Sequence, residues 1–333
     1  MIRTSPVIDE GIPTLPAVLD PLELGKRIAF FSFPPWDWGR LRDVRIQKLK
    51  LHHGSRCTVQ INLRTDGGPR AVIGKVYASG GLEVYQSMTR ISQSGFGPEA
   101  EFSIPQPLAF VPELHLLVQE LVPGPLAQDF FRGGDERDYA VASTRCGHWL
   151  VRFHSIAPRI GPVFDLSDYL ISLERWSRRI AECSETLAGK AICLFRRLED
   201  RASALKPAVT CAGHGSFCHS QIILAHGRTT TFDWDGCDVA DPSRDVARFM
   251  VSLKRLALGC FGSIRALDSA ARIFLRTYTD AGGPEALSCL PFFQAATCIK
   301  LAKYEISKGL DHRRQSIMES MLDEGLQLLE DGN

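Results

Sequence analysis

At Pro123-Gly124-Pro125 the chain changes its hydrophobic period from alternation to helical spacing, which restricts it to folds in which a β-rich half precedes a helical half. Before the switch, Cys57-Thr58-Val59-Gln60-Ile61-Asn62-Leu63 alternates apolar and polar residues and is rich in β-branched side chains. Asp66-Gly67-Gly68 supplies a turn and residues 71–77 a second run, so the pair reads as a β-hairpin. Gly80-Gly81 opens a helix over residues 82–92, and Gly95, Gly97 and Pro98 close it before strands at 107–111 and 115–121. After the switch, helical spacing recurs at 139–153, 166–180 and 191–205, a β island spans 209–232, and helices follow at 243–258, 264–281, 284–309 and 315–329. The fold class is therefore α+β. Residues 1–24, with Pro6, Pro13, Pro16 and Pro21, read as an extended leader, 25–122 as the β-rich domain and 123–333 as the helical one.

At about 150 residues per domain, 333 residues make roughly two domains' worth of chain. Thirty-nine Lys and Arg against 38 Asp and Glu leave a net charge of +1, too little field to gather nucleic acid or anionic lipid. The N-terminus meets acidic residues and prolines before any apolar run long enough for a signal peptide. The most apolar stretch, residues 286–302, is broken by Pro291, Gln294 and Lys300 and falls short of the roughly 20 residues that span a bilayer, so it reads as a buried helix. Ten cysteines with no C-x-x-C pair read as reduced core thiols. These features together predict a cytoplasmic protein with neither nucleic-acid nor membrane partners.

The chemistry concentrates in His214-Gly215-Ser216-Phe217-Cys218-His219-Ser220-Gln221-Ile222-Ile223-Leu224, followed after a Gly227 turn by Thr231-Phe232-Asp233-Trp234-Asp235. Two short apolar strands flank a polar loop, and the second delivers an aspartate beside the loop's end. Phosphoryl transfer needs a carboxylate and a side-chain oxygen in fixed register around Mg²⁺, and Gln221 with Asp233 fits that pair. Zinc is a weaker reading of Cys211, His214, Cys218 and His219, because four ligands would have to converge from one short segment at a spacing that matches no finger or ribbon.

The sequence resembles the aminoglycoside/choline-kinase-like phosphotransferases over about residues 40–330. That family's catalytic loop reads H-G-D-x-x-x-x-N, followed by a strand, a turn, I-D-W/F-D/E, and a G-D-P-x-x-D-like signature. Here those elements stand as His214-Gly215-Ser216, four residues, Gln221, then Phe232-Asp233-Trp234-Asp235, then Ala240-Asp241-Pro242 and Asp245. The resemblance implies a two-lobed protein-kinase-like fold and an ATP- and Mg²⁺-dependent transfer to a hydroxyl of a small molecule: a sugar, an amino alcohol or a natural product.

It further implies that Lys75 grips the phosphates, that Glu83 pairs with Lys75, and that the backbone from Glu120 to Val122 seats adenine. Gln221 and Asp233 would hold the metal, with His214, Ser216 and Asp235 around the reacting groups. Leu150-Val151-Arg152-Phe153-His154 is similar to the family's helical element beneath the loop, and His52-His53-Gly54-Ser55 stands where a phosphate-covering loop belongs. Each has a plainer reading beside it. Lys75 can be a strand lysine, Glu83 a dipole-complementing first-turn acid, Asp235 a satisfied turn residue, and Asp241 to Asp245 a helix start; His154 and His214 can be structural.

Two departures stand out. Ser216 occupies the place of the family's catalytic aspartate, and a serine neither accepts a proton near neutral pH nor supplies negative charge. Losing a general base typically costs about 10²–10⁴-fold in rate. Gln221 replaces asparagine, which keeps a carbonyl oxygen but moves it by one methylene. Ser216 therefore also motivates a second expectation, a nucleotide-binding pseudokinase acting as a regulatory or scaffold protein. Residues 126–333 carry equal numbers of basic and acidic side chains, which argues against a polycationic acceptor.

Overall fold

The computed structural model describes residues 9–205, 210–225, 227–283 and 287–331. They form two compact units, Met1–Pro123 and Gly124–Asn333. No described helix is long and apolar enough to cross a membrane.

The first unit begins with two short helices, α1 (Leu15–Leu19) and α2 (Pro21–Arg27), and continues through β1 (Leu41–His52), β2 (Arg56–Thr65), β3 (Gly68–Tyr77), α3 (Leu82–Gln93), β4 (Phe102–Ser103), β5 (Pro107–Val111) and β6 (Leu116–Glu120). Five of these strands form an antiparallel sheet in the order β1-β2-β3-β6-β5. Period-2 alternation sends Cys57, Val59, Ile61 and Leu63 inward against Val72, Val76, Leu116 and Val118. The hairpin of β2 and β3 turns at Asp66-Gly67, as its sequence predicts.

The extended leader expected over residues 1–24 is not what the described part forms. Residues 1–8 lie outside the described residues. From Leu15 on, the chain is helical, and Ile12, Leu15, Val18 and Leu24 enter the same core as the strands. The prolines misled because Pro16 and Pro21 occupy first-turn positions, where a missing N–H costs no hydrogen bond. Asp20 then caps α2, accepting the Leu22 N–H at 2.8 Å. β1 is also additional to the sequence reading, since its charged side chains face solvent at the sheet edge.

The second unit contains α4 (Ala127–Arg132), α5 (Glu136–Ile156), α6 (Leu166–Cys183), α7 (Glu185–Ala202), β7 (Cys211–Gly213), β8 (Ile222–Ala225), β9 (Arg228–Thr231), β10 (Asp238–Ala240), α8 (Ser243–Phe261), α9 (Asp268–Asp280), α10 (Leu290–Ile306) and α11 (His312–Asp331). Two expected boundaries, residues 209 and 284, lie outside the described residues. Helix α10 is buried over most of its surface, as its apolar run predicts, with Phe292, Ala295, Ala296, Ile299 and Ala302 packed against α6, α7 and α11. A second aromatic core runs through Trp149, Phe217, Phe249 and Phe274, with ring centroids 5.5 Å apart for Trp149 and Phe217 and 4.1 Å for Phe249 and Phe274. Because Phe217 belongs to the polar loop, this core fixes the loop from below. All ten cysteines are thiols and seven are buried.

Candidate functional site

The loop from His214 to Gln221 leaves β7 and enters β8, while β9 delivers Phe232 and Asp233 beside it. β7 pairs with β10, opposing Gly213 to Asp238. Gly215 has φ +75°, and a Cβ there would stand 2.0 Å from the Gly236 carbonyl oxygen, so this approach of loop to turn requires glycine. The β8–β9 hairpin is clamped by Arg145 of α5, which donates to the Ala225 carbonyl at 2.9 Å and the Thr229 hydroxyl at 3.1 Å. Sequence reasoning did not single out Arg145, whose partners lie about 80 residues away.

Gln221 and Asp233 meet. Phe232 N–H donates to the Gln221 carbonyl at 3.0 Å, and the Gln221 side-chain Nε2 donates to Asp233 Oδ2 at 3.0 Å. Asp233 has φ +75°, a left-handed conformation that costs a non-glycine residue about 1–2 kcal/mol. Strain of this kind persists where surrounding contacts over-determine it. In the Gln221–Asp233 contact the Gln221 amide nitrogen faces the carboxylate, while its Oε1 faces Ser216 Oγ and Cys218 Sγ, each at 3.4 Å. Carboxylate and amide oxygens are the donor types that a hard divalent cation such as Mg²⁺ takes, and a turn of the Gln221 amide would set its oxygen beside Asp233.

Asp245, in the first turn of α8, anchors the loop. Its carboxylate accepts the backbone N–H of His214 at 2.6 Å and of Gly215 at 3.0 Å. His154 Nε2 lies 3.5 Å from it, and His154 Nδ1 lies 2.7 Å from the Tyr278 hydroxyl. Burial alone would raise the Asp245 carboxyl, but the hydrogen bond from His154 and the backbone N–H of His214 hold it down at about 2. Asp241 accepts the Ser243 N–H at 2.7 Å, so the expected helix-start reading of this segment fits Asp241, whereas Asp245 does more than complement a dipole.

Both ring nitrogens of His214 are engaged. Nε2 lies 3.1 Å from the Phe232 carbonyl oxygen, which requires the proton there and leaves Nδ1 to accept from the Ser216 hydroxyl at 3.2 Å. Ser216 Oγ also lies 3.4 Å from Gln221 Oε1. The structure thus brings His214, Ser216, Gln221 and Asp233 into one hydrogen-bonded group. Asp235 follows in a half-buried turn, Trp234–Gly236. The four zinc-type side chains diverge: Cys211 faces the Ala240 carbonyl, His214 that of Phe232, His219 that of Ser252, and Cys218 the Gln221 side-chain oxygen. Among the described residues, no group of three or more His, Cys, Asp or Glu side chains could hold a metal ion.

The remaining sequence-derived residues lie in the first unit. Lys75 is buried in β3, opposite Thr58 of β2 and Leu117 of β6. Glu83 stands in the first turn of α3, where its carboxylate accepts the Gly81 N–H at 3.0 Å. Glu120 closes β6, and its carboxylate accepts the Gln106 N–H at 3.0 Å; Val122 beyond it is buried. His53 and Gly54 turn between β1 and β2, and the Asp9 carboxylate holds the Gly54 N–H at 3.1 Å.

Residues 63–286 match the family model described as "phosphotransferase enzyme family". No curated protein sequence matches the chain. Among solved structures, a glucosamine kinase in complex with glucosamine, ADP and inorganic phosphate superimposes with a TM-score of 0.62 at 17% identity, covering 99% of this chain and 89% of that one. A thermostable mutant of the aminoglycoside phosphotransferase APH(4)-Ia gives 0.58 at 15%, covering 92% and 99%. A choline/ethanolamine kinase family protein from Mesorhizobium loti gives 0.56 at 13%, covering 92% and 94%. At such identities the likeness is one of fold: α+β, protein-kinase-like, with an antiparallel-sheet unit and a helical unit.

Proposed function

Because the chain belongs to the phosphotransferase enzyme family, we propose that it transfers the γ-phosphoryl group of ATP to a hydroxyl of a small molecule. The observation that carries this reading is the Gln221–Asp233 contact on a loop anchored by Asp245. In this reading Gln221 and Asp233 hold Mg²⁺, which when bound neutralises charge on the phosphate oxygens. Lys75 orients the phosphates, Glu83 positions Lys75, and the backbone from Glu120 to Val122 seats the adenine.

The acceptor oxygen forms its bond to the γ-phosphorus as the bond from that phosphorus to the ADP oxygen breaks. Ser216 and His214 shape the acceptor position, with Asp235 beside them. Since no carboxylate stands at 216, the hydroxyl proton leaves to water. Transfer through a loose transition state depends mostly on positioning and electrostatics, which a serine here does not remove. The cysteines, all present as thiols, support a reducing, cytoplasmic setting.

Ser216 favours one alternative, a pseudokinase that binds nucleotide and acts through a partner. Turnover decides between them. ATP consumption is measured with Mg²⁺ against a panel of hydroxylated metabolites, alongside thermal shifts with ATP and Mg²⁺. The phosphotransferase reading expects both acceptor-dependent turnover and a shift. A shift without turnover supports the pseudokinase, and neither response counts against both.

A further inference from the structure

A recess of about 430 Å³ opens in the second unit between α4, the loop residues Cys218 to Ser220, α8, the end of α10 and the start of α11. This is a volume suited to a small molecule. Its wall carries six cationic side chains, Arg132, Arg248, Arg255, Lys308, Arg313 and Arg314. Against them, among the described residues, the wall sets Glu305 and Asp311, and Arg132 lies 3.9 Å from Asp129 beside the recess.

The carboxylates are already committed. Glu305 is buried and accepts from Arg255 at 2.7 Å, Arg314 at 2.9 Å and Lys308 at 3.2 Å. Asp311 lies 3.6 Å from Arg314. Arg248 has donors to spare: its guanidinium carbon lies 6.0 Å from the centre of the Tyr304 ring, but its Nε and Nη1 are sealed from solvent and find no hydrogen-bond partner among the described residues. Its neighbour one turn back, Arg244, is spent on Asp238 and on the Phe164 ring, 4.0 Å away. Buried guanidinium donors without acceptors are expensive unless a ligand supplies the anion.

The recess wall includes Cys218 to Ser220 of the candidate loop. Ser220 Oγ lies 3.3 Å from Cys218 Sγ, which lies 3.4 Å from Gln221 Oε1. His219 Nε2 lies 3.2 Å from the Ser252 carbonyl oxygen, and its buried Nδ1 finds no hydrogen-bond partner among the described residues. That nitrogen is an acceptor for a ligand hydroxyl. Planar guanidinium forks match phosphate and carboxylate oxygens in pairs.

We propose that this recess binds the anionic group of the acceptor, so that the substrate is a hydroxylated small molecule bearing a phosphate monoester or a carboxylate. The inference rests on the phosphotransferase reading and specifies its acceptor. It inverts the charge that would suit a polycationic substrate.

The test uses the full chain and two variants, Arg248→Gln and the solvent-facing Arg132→Gln, which guards against a folding defect in the first. Binding of inorganic phosphate is measured by calorimetry without nucleotide. Turnover with ATP and Mg²⁺ is compared for glycerol phosphate, hexose phosphates, glycerate, free sugars and amino alcohols. The expected result is turnover with anionic acceptors, glycerol phosphate against glycerate telling phosphate from carboxylate. Phosphate affinity should fall about tenfold or more in Arg248→Gln and less in Arg132→Gln, and KM for the anionic acceptor should rise in parallel. Turnover confined to neutral or cationic acceptors overturns the proposal, as does phosphate affinity indifferent to both substitutions. The ATP–Mg²⁺ thermal shift is read separately: its absence strikes the phosphotransferase reading, and phosphate binding then still decides the recess.

Discussion

The Asp245 carboxylate accepts the backbone N–H of His214 at 2.6 Å, and this contact ties the first residue of the candidate loop to the first turn of α8. Gly215 N–H joins the same carboxylate at 3.0 Å. A buried, ionised side chain thus fixes backbone that would otherwise leave two donors unmet.

Asp245→Asn keeps one acceptor oxygen but loses the charge and presents an amide to a backbone donor. Removing one partner of a buried charged group costs about 3–5 kcal/mol. Urea unfolding should show a loss of that order, with ATP turnover falling more steeply than stability. A loss under about 1 kcal/mol would mean that the anchor is dispensable.

Gly215→Ala sets a Cβ against the Gly236 carbonyl at a φ of +75°. Backbone must shift, so a stability loss of about 2 kcal/mol or more is expected by chemical denaturation. Wild-type stability in this variant would refute the close approach of loop to turn.

Much of the fold was legible because burial follows local pattern. The alternation from Cys57 to Leu63 and the helical spacing around Trp149 each mark a buried face. That Gln221 and Asp233 meet was legible from the motif spacing, since a strand, a turn and a strand separate them by a fixed count. Asp245 stood both in the G-D-P-x-x-D-like signature and in the helix-start reading, and neither shows its contacts with His214 and Gly215, which lie about 30 residues away. Composition also hid the basic recess: an even charge balance over residues 126–333 gives no sign that α4, α8, α10 and α11 gather six cations around two carboxylates. The helices of residues 15–27 were missed because prolines at helix starts look like prolines in extended chain.

His219 predicts a pH dependence. Its unfolded value is about 6.5, and burial holds the folded imidazole at about 3. Between those values the unfolded chain binds a proton that the folded chain refuses, so stability falls as pH drops through this window. The contribution is on the order of a few kcal/mol by pH 3. Denaturation midpoints measured from pH 7 to 4 should fall less in His219→Gln than in the wild type, and equal slopes would exclude His219 as the source.

Ser216→Asp restores a carboxylate where a base would act. If the rest of the site is competent, ATP turnover should rise by about tenfold or more, within the range that general-base assistance supplies. A variant that still binds ATP but stays inert would favour the pseudokinase.

Asp233→Asn tests the central claim most directly. Asparagine tolerates the left-handed backbone and still accepts from Gln221, so the fold should hold while the charge for the cation is lost. ATP affinity is measured by calorimetry with and without Mg²⁺. The account predicts that Mg²⁺ tightens ATP binding to the wild type and that Asp233→Asn abolishes this gain; an ATP affinity that Mg²⁺ leaves unchanged, or that survives the substitution intact, contradicts it.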